Sequence, residues 1–147
     1  MQIRRGTKND SSAIIKHNIL LAKESEGEKL NPAIVKKGVE TLFYHPEKGF
    51  YLVAEENDRI IGQLMITFEW SDWRNKDIWW IQSVYVEKEH RKKGVFTALF
   101  NEIKKHAQKQ NVPLLRLYVH KHNINAQKVY EKHNMTKGTY LFYEIPI

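Results

Sequence analysis

The stretch that decides the fold is Val84-Tyr85-Val86-Glu87-Lys88-Glu89-His90-Arg91-Lys92-Lys93-Gly94-Val95-Phe96. It passes from a β-branched and aromatic run, through a basic turn, into a segment whose apolar positions Val95, Phe96, Leu99, Phe100, Ile103 and Ala107 keep a helical spacing as far as Gln110. A strand that feeds a helix through such a turn presents the free N–H groups of the first helical turn at the positive end of the helix dipole. Gly94 lets the backbone approach an anion, and Arg91, Lys92 and Lys93 add charge, so the geometry suits a diphosphate. A basic turn that is merely solvated is the plainer alternative for a lone cluster; its placement between strand and helix favours the anion site.

Working outward, Ile78 to Val86 is apolar on both faces and reads as a central strand. Phe50 to Glu55 and Ile60 to Phe68, separated by Glu56-Asn57-Asp58-Arg59, read as a β-hairpin. Residues 2 to 5 form a short first strand. Thr7 and Asp10 are capping candidates for a helix carrying Ile14, Ile15 and Leu21, and Asn31-Pro32 opens a second helix with Ile34, Val35, Val39, Leu42 and Phe43. Downstream, Leu114 to Val119 is a strand, Asn123 caps a helix with Ala126, Val129 and Tyr130, and Thr139 to Ile145 closes as a strand. The order β-α-α-β-β-β-α-β-α-β predicts a mixed α/β sheet with helices on both faces and at least one parallel crossover.

The 147 residues fit one domain spanning 1–147, and 17 aromatic residues within 41% hydrophobic composition supply a core. The absence of cysteine excludes disulfides, thiolate zinc and a cysteine nucleophile. No apolar run reaches the roughly 20 residues of a membrane span, and Met1-Gln2-Ile3-Arg4-Arg5 lacks the apolar stretch of a secretory signal, so a soluble cytoplasmic protein is expected. Residues 1–73 hold 10 bases and 11 acids, whereas residues 74–147 hold 14 and 6, so an anionic ligand belongs to the second half.

The strand with Arg91-x-x-Gly94-x-Phe96, followed by Asn123-x-x-Ala126-x-x-x-Tyr130-Glu131-Lys132-His133-Asn134-Met135, resembles the GNAT superfamily of acyl-CoA-dependent N-acyltransferases. The resemblance covers nearly the whole chain in element order, with Phe96 standing where that family usually has Gly or Ala. It implies a GNAT fold with a twisted, mostly antiparallel central sheet, and acetyl-CoA as cosubstrate without a metal. Residues Arg91, Lys92, Lys93, Gly94, Val95 and Phe96 would hold the pyrophosphate, with Phe96 narrowing the approach. The backbone of the Val84-Tyr85-Val86 strand would pair with the pantetheine arm, and a strand N–H near Val84 would stabilise the oxyanion. Asn123 would contact the cofactor arm beside its role as a helix cap. Tyr130, a core aromatic on spacing alone, would protonate the departing thiolate. The acceptor would be a small-molecule or peptide amine, with no nucleic acid or membrane partner, and a homodimer is a further implication.

Acetyl transfer needs a neutral amine, and the base is the least defined part. Glu69 ranks first, ahead of Asp72 and His120; Gln82 and Ser83 are not strong bases. The segment Glu69-Trp70-Ser71-Asp72-Trp73-Arg74 with Trp79-Trp80 either receives a cationic amine or packs as core and rim. His120-x-His122 lacks a third ligand nearby in sequence. The expected reaction is direct attack by the amine in a ternary complex. Two alternatives stand beside it: an acyl-CoA-binding domain without turnover, and a basic nucleic-acid-binding module.

Overall fold

The computed structural model describes residues 1–147. Five strands, β1 (Gln2–Arg5), β2 (Gly49–Glu56), β3 (Arg59–Ser71), β4 (Lys76–Val86) and β5 (Leu115–Arg116), form one sheet in the order β1-β2-β3-β4-β5. The first three pairings are antiparallel and β4–β5 is parallel, closed by the crossover through α3 (Val95–Lys109). Helices α1 (Ser11–Glu26) and α2 (Pro32–Tyr44) precede β2, and α4 (Ile124–Lys132) follows β5.

The sheet is covered on both faces because β2 is apolar at every position of its core stretch. Phe50, Leu52 and Ala54 point into a cluster with Leu99, Phe100 and Ile103 of α3, while Tyr51 and Val53 alternate into a second cluster with Ile14 of α1 and Val39 and Leu42 of α2. The period-two alternation of a strand sends its side chains to two different cores, so a continuous hydrophobic run is what two-sided burial demands. Gly62 of β3 permits the tightest contact of the α3 side. A Cβ there would meet Val95 Cγ1 at 2.9 Å and the Tyr85 carbonyl oxygen at 3.3 Å, so its absence lets the start of α3 rest on the sheet.

Local signals account for the helix ends. Asn31 Oδ1 accepts from Ala33 N at 2.9 Å, with Pro32 at the first helical position, as its sequence predicts. Asp10 departs from the capping expectation for α1. Its carboxylate turns back to accept from Thr7 N at 2.7 Å and pairs with Arg4 at 2.8 Å, tying β1 to the helix start. A hydrogen bond from Arg4 holds the Asp10 carboxyl below its ordinary range despite partial burial.

Two strand expectations are corrected. The fifth strand is two residues long rather than Leu114 to Val119, and Thr139 to Ile145 is not a strand. Phe142 stacks near Tyr118 (5.4 Å) and Trp80 (6.2 Å), so the tail lies alongside the sheet edge without joining it. Alternating aromatic and β-branched residues favour a strand only where a neighbouring ladder accepts them, and β5 offers too short a one.

Leu99 is fully buried at the centre of the α3 side. Leu99→Ala is expected to destabilise the fold by about 2–5 kcal/mol, read as a lowered midpoint in urea unfolding with an unchanged slope.

Candidate active site

The site begins where β4 leaves its neighbours. Gln63 pairs with Tyr85 and Met65 with Gln82, so Ser83 and Val84 together oppose Leu64 in a β-bulge, with Ser83 at φ 50°. On the other side β4 pairs with β5 only at Trp79–Leu115 and Trp80–Arg116. From Ile81 to Val86 that edge of β4 has no strand partner. A cleft of about 780 Å³ opens there, lined by Ile81, Gln82, Ser83, Val84 and Val86 on one side and Leu117 to His120 on the other. A larger cavity of about 1120 Å³ between β5, α4 and the C-terminal residues contains none of residues 91–96 and so stands apart from the anion loop.

Arg91 and Phe96, on either side of the basic turn, line this cleft. Lys92 and Gly94 both have left-handed backbones, at φ 62° and 82°. The first intrahelical bond of α3 runs from Ala98 N to Gly94 O at 3.0 Å, and the amides of Lys92 to Thr97 have no backbone acceptor. Six consecutive N–H groups at the start of a 15-residue helix, with Lys92 and Lys93 among them, are left with donors to spare for an anion. A side chain at Gly94 would meet nothing within 4 Å, so glycine serves the backbone conformation there and leaves the space above the turn open.

Arg91 is tied down beneath the turn. Its Nε donates to the Val86 carbonyl at 2.8 Å and its Nη2 to Glu24 Oε2 at 2.7 Å, and Tyr85 donates its hydroxyl to the other Glu24 oxygen at 3.1 Å. Burial pushes the Glu24 carboxyl up, but the hydrogen bonds from Arg91 and Tyr85 outweigh it and hold the group below the ordinary range. Arg91 thus shapes the loop as much as it charges it. Tyr85 faces away from the open edge, its ring 4.9 Å from that of His17, so only its backbone is available there.

A buried polar line runs under the bulge. Glu87 lies near His17 (3.6 Å) and pairs with Arg59 (2.9 Å). His17 Nδ1 faces Gln63 Oε1 at 3.1 Å, and Gln63 donates to Asn18 at 2.8 Å and to the Ser83 carbonyl at 3.4 Å. Burial lowers the His17 imidazole despite its carboxylate neighbour. A neutral imidazole donating to Gln63 is consistent with that site and supports the bulged residue from below.

Tyr130 lines the same cleft from α4. Burial alone pushes its phenol above the ordinary range, so it stays protonated at neutral pH. Phe96 does not stand across the turn: its ring packs edge-on to Tyr130 (5.6 Å) and beside Phe100 (5.7 Å), linking the anion loop to the tyrosine. Asn123 also lines the cleft. Its side-chain oxygen caps α4 through Ala126 N at 3.1 Å, which leaves its amide nitrogen for a ligand.

The acid and indole segment is not brought to the cleft. Glu69, ranked first as base, accepts from the Trp80 indole and pairs with Arg116 at 3.3 Å on the far part of the sheet, where a guanidinium neutralises it. Asp72 accepts from Trp73 N in the β3–β4 turn, and Trp73 is 87% exposed. Of the three ranked bases only His120 lines the cleft. The walls that sequence reading missed come from α1, α2 and β3: Leu21, Glu26, Ile34, Val35 and Met65. The one available signal was His17-Asn18, two polar residues among the apolar positions of α1.

No helix is long and apolar enough to cross a membrane. A comparison with curated proteins found no match. Among solved structures, a possible acetyltransferase from Clostridium difficile 630 is 46% identical, with 99% of this chain and 97% of that chain covered and a TM-score of 0.93. A "predicted acetyltransferase with acetyl-CoA" from Clostridium acetobutylicum is 18% identical over 98% of this chain and 95% of that one, with a TM-score of 0.82, a likeness of fold. The sequence model of the acetyltransferase (GNAT) family matches residues 19–135, which span the anion loop, the splayed strand and Tyr130, and the chain therefore belongs to the GNAT acetyltransferase family.

Proposed function

We propose that the chain is an N-acetyltransferase that moves an acetyl group from acetyl-CoA to a primary amine within a ternary complex. One observation carries the reading: the unpaired edge of β4, Tyr130, and Arg91 and Phe96 on either side of the free-amide turn all line one cleft. The acetyl-CoA bound by the Clostridium acetobutylicum relative is in keeping with it.

The amides of residues 92–97, with Lys92 and Lys93, suit the pyrophosphate. The β4 edge near Val84 and Val86 offers backbone groups to the two amides of a pantetheine arm, although the Val86 carbonyl is already engaged by Arg91. Asn123 offers its amide nitrogen to the same arm. At the bulge, a backbone N–H near Val84 is the donor for the oxyanion. The amine nitrogen, having lost one proton, bonds to the acetyl carbon; as the C–S bond breaks the thiolate takes the proton of the Tyr130 hydroxyl, and the second proton that the nitrogen sheds on becoming an amide restores the phenol through water. His120 is the one ionisable base candidate from the sequence that borders the cleft, and it takes the amine's proton directly or through water. Glu69 has no part in this step.

Acetyl-CoA is expected to raise the melting temperature with dose. Gly94→Asp, which strains the left-handed turn and sets a negative charge over the cradle, should abolish most of that shift while unfolding stays cooperative. An unchanged shift would show that the cradle is elsewhere.

Tyr130→Phe keeps the ring and its contact with Phe96. It is expected to lower kcat by about 10²- to 10⁴-fold, with acetyl-CoA affinity within a few-fold of wild type. Wild-type turnover would return Tyr130 to a packing role and favour the non-catalytic alternative for this group.

Because burial raises the Tyr130 pKa above its ordinary value of about 10, the acid form persists as pH rises. The pH profile of kcat should therefore climb as the amine deprotonates and show no alkaline fall through about pH 9.

A further inference from the structure

The two ends of the cleft differ in chemistry, and we infer from that difference the acceptor class: a small monoamine carrying an alkyl or aryl body. The inference rests on the acetyl-transfer reading and goes beyond it by naming the amine. Arg91 and Phe96 mark the cofactor side. Leu21 of α1, Leu30 between the helices, Ile34 and Val35 of α2, and Met65 of β3 also line the cleft and make that part of its lining largely apolar.

Ile34 is the informative member. Later in the same helix Val39 and Leu42 are buried in the core, yet Ile34 is left 68% exposed at the cleft. Single exposed isoleucines are ordinary, but this one lines the cleft together with Leu30 and Val35. An apolar substituent on the acceptor would remove both surfaces from water.

Charge sets the number of amines. Apart from tyrosines, the ionisable side chains lining the cleft are Glu26, Arg91 and His120. Arg91 is committed to Glu24 and the Val86 carbonyl, which leaves Glu26 as the only carboxylate. It stands in the last turn of α1, where the helix dipole adds negative potential. One ammonium finds a partner there. A second or third charge, as on a polyamine or an aminoglycoside, would lie against Leu30, Ile34 and Val35 without a counter-charge and would forgo the apolar contact that these residues offer. The acids Glu69, Asp72 and Asp77 do not line the cleft and cannot supply one.

The test first measures acetyl-CoA binding by calorimetry, then thiol release with 2-phenylethylamine, hexylamine, spermidine, kanamycin and a polar peptide with a free N-terminus. The two apolar monoamines are expected to exceed the other three in kcat/KM by about 10-fold or more. Ile34→Asp should raise KM for the apolar amines by about 10-fold with acetyl-CoA affinity unchanged, and Ile34→Val should restore it. Faster turnover of spermidine, kanamycin or the peptide, turnover of none of the five, or an Ile34→Asp enzyme with unchanged KM would overturn the inference while bound acetyl-CoA keeps the transfer reading standing. Failure of the wild-type chain to bind acetyl-CoA would overturn both.

Discussion

β4 and β5 share backbone pairing at Trp79–Leu115 and Trp80–Arg116 and at no later position. A parallel pair held by so short a ladder is free to diverge, and everything that makes the cleft follows from that divergence. The bulge opposite Leu64 turns β4 away on its other side, and the crossover through α3 fixes how far β5 can be from it. Had the pairing run on to Val119, the backbone groups of Ile81 to Val86 would be spent within the sheet. An open edge in the middle of a sheet normally invites aggregation. Here helices α1 and α4 wall it, and the ligand proposed for it is itself a strand mimic.

The opening has to be held at a fixed shape, and buried polar groups do this. Glu24 joins the end of α1 to Tyr85 and Arg91, so the helix that walls the acceptor side also grips the anion loop. Under the bulge, Gln63, itself held by His17, donates to the Ser83 carbonyl. Polar side chains in a core are favourable only when their partners are in place. These partners come from α1, β3 and β4, and packing of α1 on the sheet is what aligns them.

Around Tyr130 the contacts are aromatic. Phe96 rests one face of the anion loop against Tyr130, so the apolar contact that buries the phenol also keeps it un-ionised. Removing a phenol from water favours its protonated form. The wall of Leu30, Ile34 and Val35 carries no charge, which is why the amine's own body carries so much of the recognition proposed there.

Much of the framework was legible in the residues. The helical spacing of Val95 to Ala107, the Asn31-Pro32 cap, the β2–β3 hairpin and the strand–turn–helix around Gly94 are local patterns, and short-range sterics and hydrogen bonding are enough to specify them. What the residues by themselves did not determine depends on which strand finds a partner. Leu117 to Val119 and Thr139 to Ile145 have strand composition but no ladder, and Glu69 is turned to Arg116 and Trp80 by a neighbour 47 residues away. Local propensity settles what a segment can be. Only the tertiary structure decided that β4 would keep an unpaired edge, that Ile34 would stay in water at the cleft, and that a half-buried tyrosine would line the same cleft, because each depends on long-range contacts that no short window of sequence contains.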